Sequence, residues 1–229
     1  MVFGWLLLYS QWGFAEQTGQ DLKPQRDDTK IISWEIEESL QPTIDYLKKK
    51  QRKYRSQTHF LKHLFHYVHH KHLKRFGHQS SPDALAKSGT YDCVSGTALY
   101  ALILEELNIP YEIWEMNYHV YLALKVNDSK VVFESTNPVE GFINQADRIA
   151  QHRSYYEEEA ERYHQNQEID VPTIHRAINF KQLCGLQFYN QALAYLQKEE
   201  KDKALRYVQQ ALDYYPSDRI ALLAEWIGQ

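Results

Sequence analysis

Cys93, His119 and Glu134 are the residues of this chain whose types and order fit covalent chemistry: a thiol, then an imidazole, then a carboxylate. Cys93 stands at the start of a predicted helix over Val94 to Leu107, where a thiolate meets the positive end of the helix dipole and unpaired backbone N–H groups. Asp92 can cap the same helix, and its charge opposes a neighbouring thiolate. His119 belongs to a predicted strand over Tyr118 to Val126. Alternation puts Val120, Leu122, Leu124 and Val126 on an apolar core face, and His119, Tyr121, Ala123 and Lys125 on the other. If Asn127-Asp128 form the centre of a tight hairpin turn, Val126 faces Ser129 and Tyr121 faces Glu134. Glu134 then shares a face with His119 as its diagonal neighbour, roughly 7–8 Å away at the backbone, a gap that a Glu and a His side chain can close. A three-residue turn would instead send Glu134 to the opposite face.

A helix-start cysteine alone, or a lone strand histidine, more often serves packing. Their joint placement with an acid follows the Cys–His–acid logic of thiol acyl transfer. In that logic His119 takes the thiol proton and Glu134 fixes the imidazole tautomer. The thiolate attacks an amide or ester carbonyl, and helix-start N–H groups, that of Cys93 included, stabilise the oxyanion. Tyr118 and Trp114 are candidates to line the acyl cleft. Asn137 offers an alternative orienter for His119, but beside Pro138 it reads better as a turn residue. Cys184 reads as a packing residue, and two cysteines make no disulfide framework.

These residues need elements to hold them. A length of 229 residues fits one domain, or one domain with an appendage. At 43% hydrophobic and 24% charged the chain is neither disordered nor a multi-span membrane protein. A net charge of -4 argues against a general nucleic-acid binder. The basic run Lys48 to Arg55 therefore reads as a solvated helix end. Residues 1–15 form an apolar run too short to span a membrane; they resemble a secretion signal without its basic front, or else pack on the domain. Export to the periplasm or the extracellular space follows from the first alternative, a cytoplasmic protein from the second. Residues 16–30 read as a linker that can also cover the cleft. Helices are predicted over Ile31 to Lys50, with Pro42 at a first helical position, and over Ser56 to Phe76. On the latter, His59, His63, His66 and His70 share one arc. With no HExxH spacing, that stripe suits adventitious metal binding, and no functional metal or cofactor is expected.

Strands are predicted over Tyr111 to Met116, Tyr118 to Val126 and Lys130 to Glu134, then an acidic, solvated helix over Gln145 to Gln165. Phe188 to Trp226 resembles a tetratricopeptide repeat: Ala192 and Tyr195 fit its first helix, Ala204, Val208 and Ala211 its second, and Ser217 can cap a third. The domain reading is a core over 31–145, a helical connector over 146–185, and repeat-like helices over 186–229.

The stretch Thr90 to Pro138, about a fifth of the chain, carries a family resemblance. Its order of Cys93, a helix, NIPYEI, His119 in a strand and Glu134 before STNP resembles the transglutaminase-like superfamily core. The resemblance implies an α+β, papain-like arrangement with the cysteine-bearing helix on an antiparallel sheet. It implies Cys93 as nucleophile, His119 as base and Glu134 as acid. The family's third member is most often Asp, and a Trp is common two residues after the His, where this chain has Tyr121. The expected function is a cysteine hydrolase or acyltransferase on peptide amide bonds, of peptidase or deamidase type, with a protein or peptide substrate. The alternative is an inactive scaffold that binds a protein partner through residues 186–229. No nucleic acid and no membrane span are expected.

Overall fold

A computed structural model describes residues 34–166 and 174–228. The segments read as a secretion signal and a linker lie outside the described residues. Helices α1 (Trp34–Gln51) and α2 (Gln57–His72) lead into a short strand β1 (Arg75–Phe76). Helix α3 (Pro82–Ser88) follows, and strand β2 (Thr90–Tyr91) then pairs in parallel with β1. Helix α4 (Cys93–Glu106) opens directly after β2. Strands β3 (Glu112–Met116), β4 (His119–Val126), β5 (Ser129–Phe133) and β6 (Phe142–Ile143) come next, then helix α5 (Ala146–Asn166) and strand β7 (His175–Ile178). Helices α6 (Phe180–Leu196), α7 (Lys201–Tyr214) and α8 (Asp218–Gly228) end the described chain. The architecture is mixed helix and sheet, with a five-stranded antiparallel sheet in the order β6-β5-β4-β3-β7.

Helix α4 is the centre of the core, because its residues from Val94 to Leu104 are all buried. A helix apolar all round has to be covered on every side. The sheet covers one side through Val120, Leu122 and Leu124, and α2 covers another through Phe60, Leu64 and Phe65. Leu99, Ile103 and Leu104 are each 0–1% exposed, and burying each contributes about 1.5–3 kcal/mol. Tyr100 ties α4 to α2: its ring stacks on Phe65 at 5.3 Å and its hydroxyl donates to the Phe65 carbonyl at 2.8 Å.

The β4–β5 register is the one a two-residue turn dictates. Val126 pairs with Ser129 and Leu122 with Phe133, and Asn127 takes φ 55° at the turn. The second face of the sheet is covered: Tyr121, Ala123, Val132 and Ile143 form a smaller cluster there, against which Ile149 and Tyr156 of α5 pack. The acidic helix is therefore amphipathic, and its solvated face is one side of it only.

Four expectations are corrected. Pro42 is not a first helical position: it lies inside α1, which continues through it, with Leu40, Ile44 and Leu47 buried on either side. α2 ends at His72 rather than Phe76, and Arg75 and Phe76 instead pair with β2. The connector is not purely helical: β7 adds to the sheet edge beside β3, with Ile113 opposite Ile178. Ser217 does not cap α8 with its side chain. Its Oγ is buried without a hydrogen-bond partner, and its carbonyl accepts from the Ile220 and Ala221 N–H groups.

Helices α6 and α7 form a tight antiparallel pair around Ala192, Ala204, Val208 and Ala211, each 0% exposed. Gly185 permits the approach, since a Cβ there would stand 2.5 Å from Tyr215 Cβ. Glu115, 0% exposed, then binds the C-terminal helices to the sheet. Its carboxylate accepts from Arg219 at 2.6 Å, from Arg176 at 2.9 Å and from the Tyr215 hydroxyl at 2.5 Å. Among the described residues no helix is long and apolar enough to cross a membrane.

Candidate active site

Cys93 is the first residue of α4, and Asp92 is its N-cap. The Asp92 carboxylate accepts from the Ser95 N–H at 2.8 Å, and the Ser95 hydroxyl accepts from the Asp92 N–H at 2.9 Å. The other carboxylate oxygen accepts from Asn190 of α6 at 3.0 Å. Burial pushes the Asp92 carboxyl up, against these hydrogen bonds. Since the Ser95 and Gly96 N–H groups are taken up by Asp92, those of Cys93 and Val94 stand at the open end of the helix. Both residues line a cleft of about 900 Å³.

His119 lines the same cleft and is 7% exposed. Its Nε2 lies 2.5 Å from Glu134 Oε2. Cys93 lies near enough to the imidazole to influence its charge, and with Nε2 on Glu134 the nitrogen left for the sulfur is Nδ1. Burial pushes the His119 pKa down, but the Glu134 charge, the hydrogen bond to Glu134 and the neighbouring Cys93 outweigh it and hold it above the usual imidazole value. Burial likewise pushes Glu134 up, yet His119 and the hydrogen bonds from His119, His152 and Thr136 keep it well below the usual carboxylate range. The pair is thus held in its charged form, and a cation sits beside the sulfur.

Glu134 is the most heavily bonded group of the site. Oε1 accepts from the Thr136 N–H at 3.0 Å and the Thr136 hydroxyl at 2.6 Å. Oε2 also meets His152 Nε2 at 2.8 Å and the Tyr156 hydroxyl at 3.3 Å. The backbone behind it is clasped as well. The Glu134 N–H donates to the Gly141 carbonyl at 2.8 Å, and the Gly141 N–H donates to the Asn137 carbonyl at 2.9 Å. A Cβ at Gly141 would fall 2.2 Å from the Glu134 oxygen, so only glycine fits the clasp. His69 of α2 adds a tether, with Nε2 3.1 Å from the Ser135 carbonyl.

The structure thus brings His119 and Glu134 together, as the two-residue turn requires, and Cys93 lines the same cleft as His119. Tyr118 lines the cleft and is 51% exposed. Trp114 does not line it. Its ring packs with the α5-side cluster, lies 4.8 Å from His175 and donates to Glu112 at 3.0 Å, because its place on β3 is one pleat further from the Cys93 end. Asn137 is a turn residue: its Oδ1 accepts from the Val139 and Glu140 N–H groups at 3.2 and 2.9 Å. Sequence reasoning missed His152 and Tyr156. The signal was Ile149, His152 and Tyr156 at i, i+3 and i+7 on a helix otherwise rich in charged and polar residues.

His119, Glu134 and His152 present ligand-type atoms within 4.8 Å of one another. A tetrahedral divalent ion about 2.0–2.1 Å from each would hold such atoms roughly 3.3 Å apart. The observed 2.5 and 2.8 Å are hydrogen-bond separations, so the trio as built is a hydrogen-bonded unit. Of the predicted histidine stripe on α2, His59 and His70 are exposed. His63 is half-buried among Tyr46, Tyr54 and Tyr67, with its Nε2 3.2 Å from the Tyr46 hydroxyl.

Comparison of the chain with protein-family models, with curated proteins and with solved structures finds no match.

Proposed function

We propose that the protein is a cysteine hydrolase or acyltransferase that acts on peptide amide bonds, with a transglutaminase-like, papain-like core. The observation that carries this reading is the hydrogen-bonded His119–Glu134 pair, with His119 and Cys93 lining one open cleft. Proximity and alignment of nucleophile, base and orienter are what thiol acyl transfer requires. The Cys93 sulfur, having given its proton to His119, adds to the amide carbonyl, and the carbonyl π pair moves onto oxygen. The Cys93 and Val94 N–H groups receive that oxyanion. Collapse breaks the C–N bond, the leaving amine takes the proton from His119, and a thioester remains. Water, or an acceptor amine, then adds with loss of a proton to His119. The thiolate leaves, and the product is a carboxylate or a new amide.

The test is alkylation of Cys93 by iodoacetamide at neutral pH, in the wild-type chain and in His119→Ala, both with Cys184→Ser. The expected result is a rate that falls by about ten-fold or more without the imidazole. Equal rates, or reaction only in denaturant, would reject the reading. A second reading, an inactive scaffold with a protein partner at residues 186–229, has support from Leu205, Leu222 and Trp226, which are exposed on α7 and α8. Equal alkylation rates together with capture of a partner that is lost in Trp226→Ala would favour it.

A further inference from the structure

We propose that the cleft takes a peptide with a large apolar or aromatic side chain flanking the reacting carbonyl, and that α6 is the wall that holds it. This rests on the acyl-transfer reading above.

Three observations carry it. Among the described residues, the exposed large apolar side chains include Phe76 at 44%, Tyr118 at 51% and Tyr155 at 54%, and all three line the cleft that holds Cys93. Exposed aromatics gathered at one concave site mark recognition, whereas scattered ones need no explanation. Two of them flank the base. Tyr118 precedes His119 in sequence, and Tyr155 lies 5.1 Å from Tyr156, whose ring stacks on the His119 imidazole.

The opposite wall comes from α6, which contributes Leu186, Tyr189 and Leu193. The repeat-like helices are therefore part of the site, placed there by the Glu115 ion cluster and by Asn190 on the Asp92 cap.

The third observation concerns the two side chains of unlike charge that line the cleft beside its histidines, both of which are bonded to other parts of the protein. Asp92 is taken by Ser95 and Asn190. Arg219 donates to Glu115 and to the Asn117 carbonyl, each at 2.6 Å, and lies 5.0 Å from the Tyr189 ring centre. A ligand Lys or Asp placed against Leu186, Tyr189 and Leu193 would lose hydration. An aromatic or aliphatic side chain gains burial and ring contacts.

The experiment uses the full chain and a set of acetyl-dipeptide vinyl sulfones. Each of the two residues is varied among Phe, Leu, Gly, Asp and Lys, and iodoacetamide serves as the control reagent. With a vinyl sulfone, the Cys93 sulfur bonds to the vinyl carbon β to the sulfone, the proton on His119 passes to the carbon beside the sulfone, and nothing leaves. The inference expects Phe or Leu at one position to label Cys93 at least about ten-fold faster than Asp, Lys or Gly. It also expects the Phe-to-Asp ratio to shrink in Tyr155→Ala and in Leu193→Ala. Equal rates across the set, with His119-dependent iodoacetamide labelling intact, would overturn the inference and leave the acyl-transfer reading standing. A preference for Asp or Lys would overturn it too. Loss of His119-dependent labelling by iodoacetamide as well would bring down both.

Discussion

Tyr156 lies flat on the imidazole of His119, with ring centroids 4.1 Å apart and planes 5° from parallel, and its hydroxyl reaches Glu134 Oε2 at 3.3 Å. One side chain on α5 thus fixes the tilt of the base and touches its orienter. Burial, together with the negative Glu134, raises the tyrosine's own pKa, so it remains a neutral donor across the working range. Stacking of this kind contributes about 0.5–1.5 kcal/mol. Tyr156→Leu is expected to slow Cys93 alkylation about two- to ten-fold, the range to which that energy converts. Tyr156→Phe keeps the stack and should lose little. If Phe proves as slow as Leu, the hydroxyl and not the ring holds the imidazole.

The charge of Glu134 is what keeps His119 protonated inside the protein. Glu134→Gln preserves shape and several hydrogen bonds but removes the charge. The His119 pKa, followed by NMR of labelled imidazoles, should then fall by about one to three pH units. In the parent chain the sign runs both ways. A raised His119 stabilises the fold fully below its unfolded value, and that stability is lost as pH rises through the folded one. A depressed Glu134 stabilises the fold above its unfolded value, and that stability is lost as pH falls through the folded one. Glu134→Gln should therefore cost most between the two titrations and least at the extremes, as urea midpoints across pH would record. An unchanged His119 titration would show that another group holds the proton.

Much of this site was legible because it rests on local rules. Asn127-Asp128 fixed a two-residue turn, the turn fixed the register, and the register placed Glu134 beside His119. Asp92 before Cys93 read as an N-cap because a carboxylate three residues before a free N–H is a local match. What stayed hidden depends on distant chain. His152 and Tyr156 sit among acidic residues on α5, where three inward positions scarcely disturb a polar composition. β7 offers only His-Arg-Ala-Ile, too short for alternation to show. The cleft wall brings Asn190 to Asp92 across almost a hundred residues, and no spacing rule reaches that far. Trp114 is a sequence candidate for the cleft, but it stands one pleat from Met116 on β3, and that single pleat decides between the open end and the α5 cluster.

Gly96 lets α4 approach the strand end that carries Glu134. A Cβ there would meet Ser135 Oγ at 2.9 Å and Tyr91 Cδ2 at 3.1 Å. Gly96→Ala has to push the start of α4, and Cys93 with it, away from the acid. Overpacking of this kind costs about 1–3 kcal/mol. The expected outcome is that loss, read as a urea midpoint, together with slower alkylation of Cys93. Gly228→Ala is the control, since nothing lies within 4 Å of a Cβ there. Equal midpoints for the two variants would show that the approach has slack.

Glu115 tests whether the C-terminal helices belong to the site. Glu115→Ala leaves Arg219 and Arg176 without their shared carboxylate, and Arg219 is largely buried. Removing one partner of a buried pair costs about 3–5 kcal/mol. The loss should appear together with faster amide hydrogen exchange in α8 and in the part of α6 that faces the cleft. Exchange that rises only in α8 would show that α6 is held by its own packing on α4.

His72 sets an acid limit on the packing of α1 against α2. Its Nε2 lies 2.8 Å from the buried Thr43 hydroxyl. Burial, with Lys71 and Lys74 nearby, pushes its pKa from 6.5 to about 4. The folded chain therefore refuses a proton that the unfolded chain accepts. Stability from this group is complete above the unfolded value, falls as pH drops from 6.5 toward about 4, and levels off below that. His69 and His63 are lowered as well, first by burial, and act in the same direction. His72→Gln retains a hydrogen-bonding group and cannot titrate. Its melting temperature should fall less steeply than that of the parent between pH 6.5 and pH 4. Parallel slopes would place the acid sensitivity elsewhere, with His69 and His63 as the next groups to test.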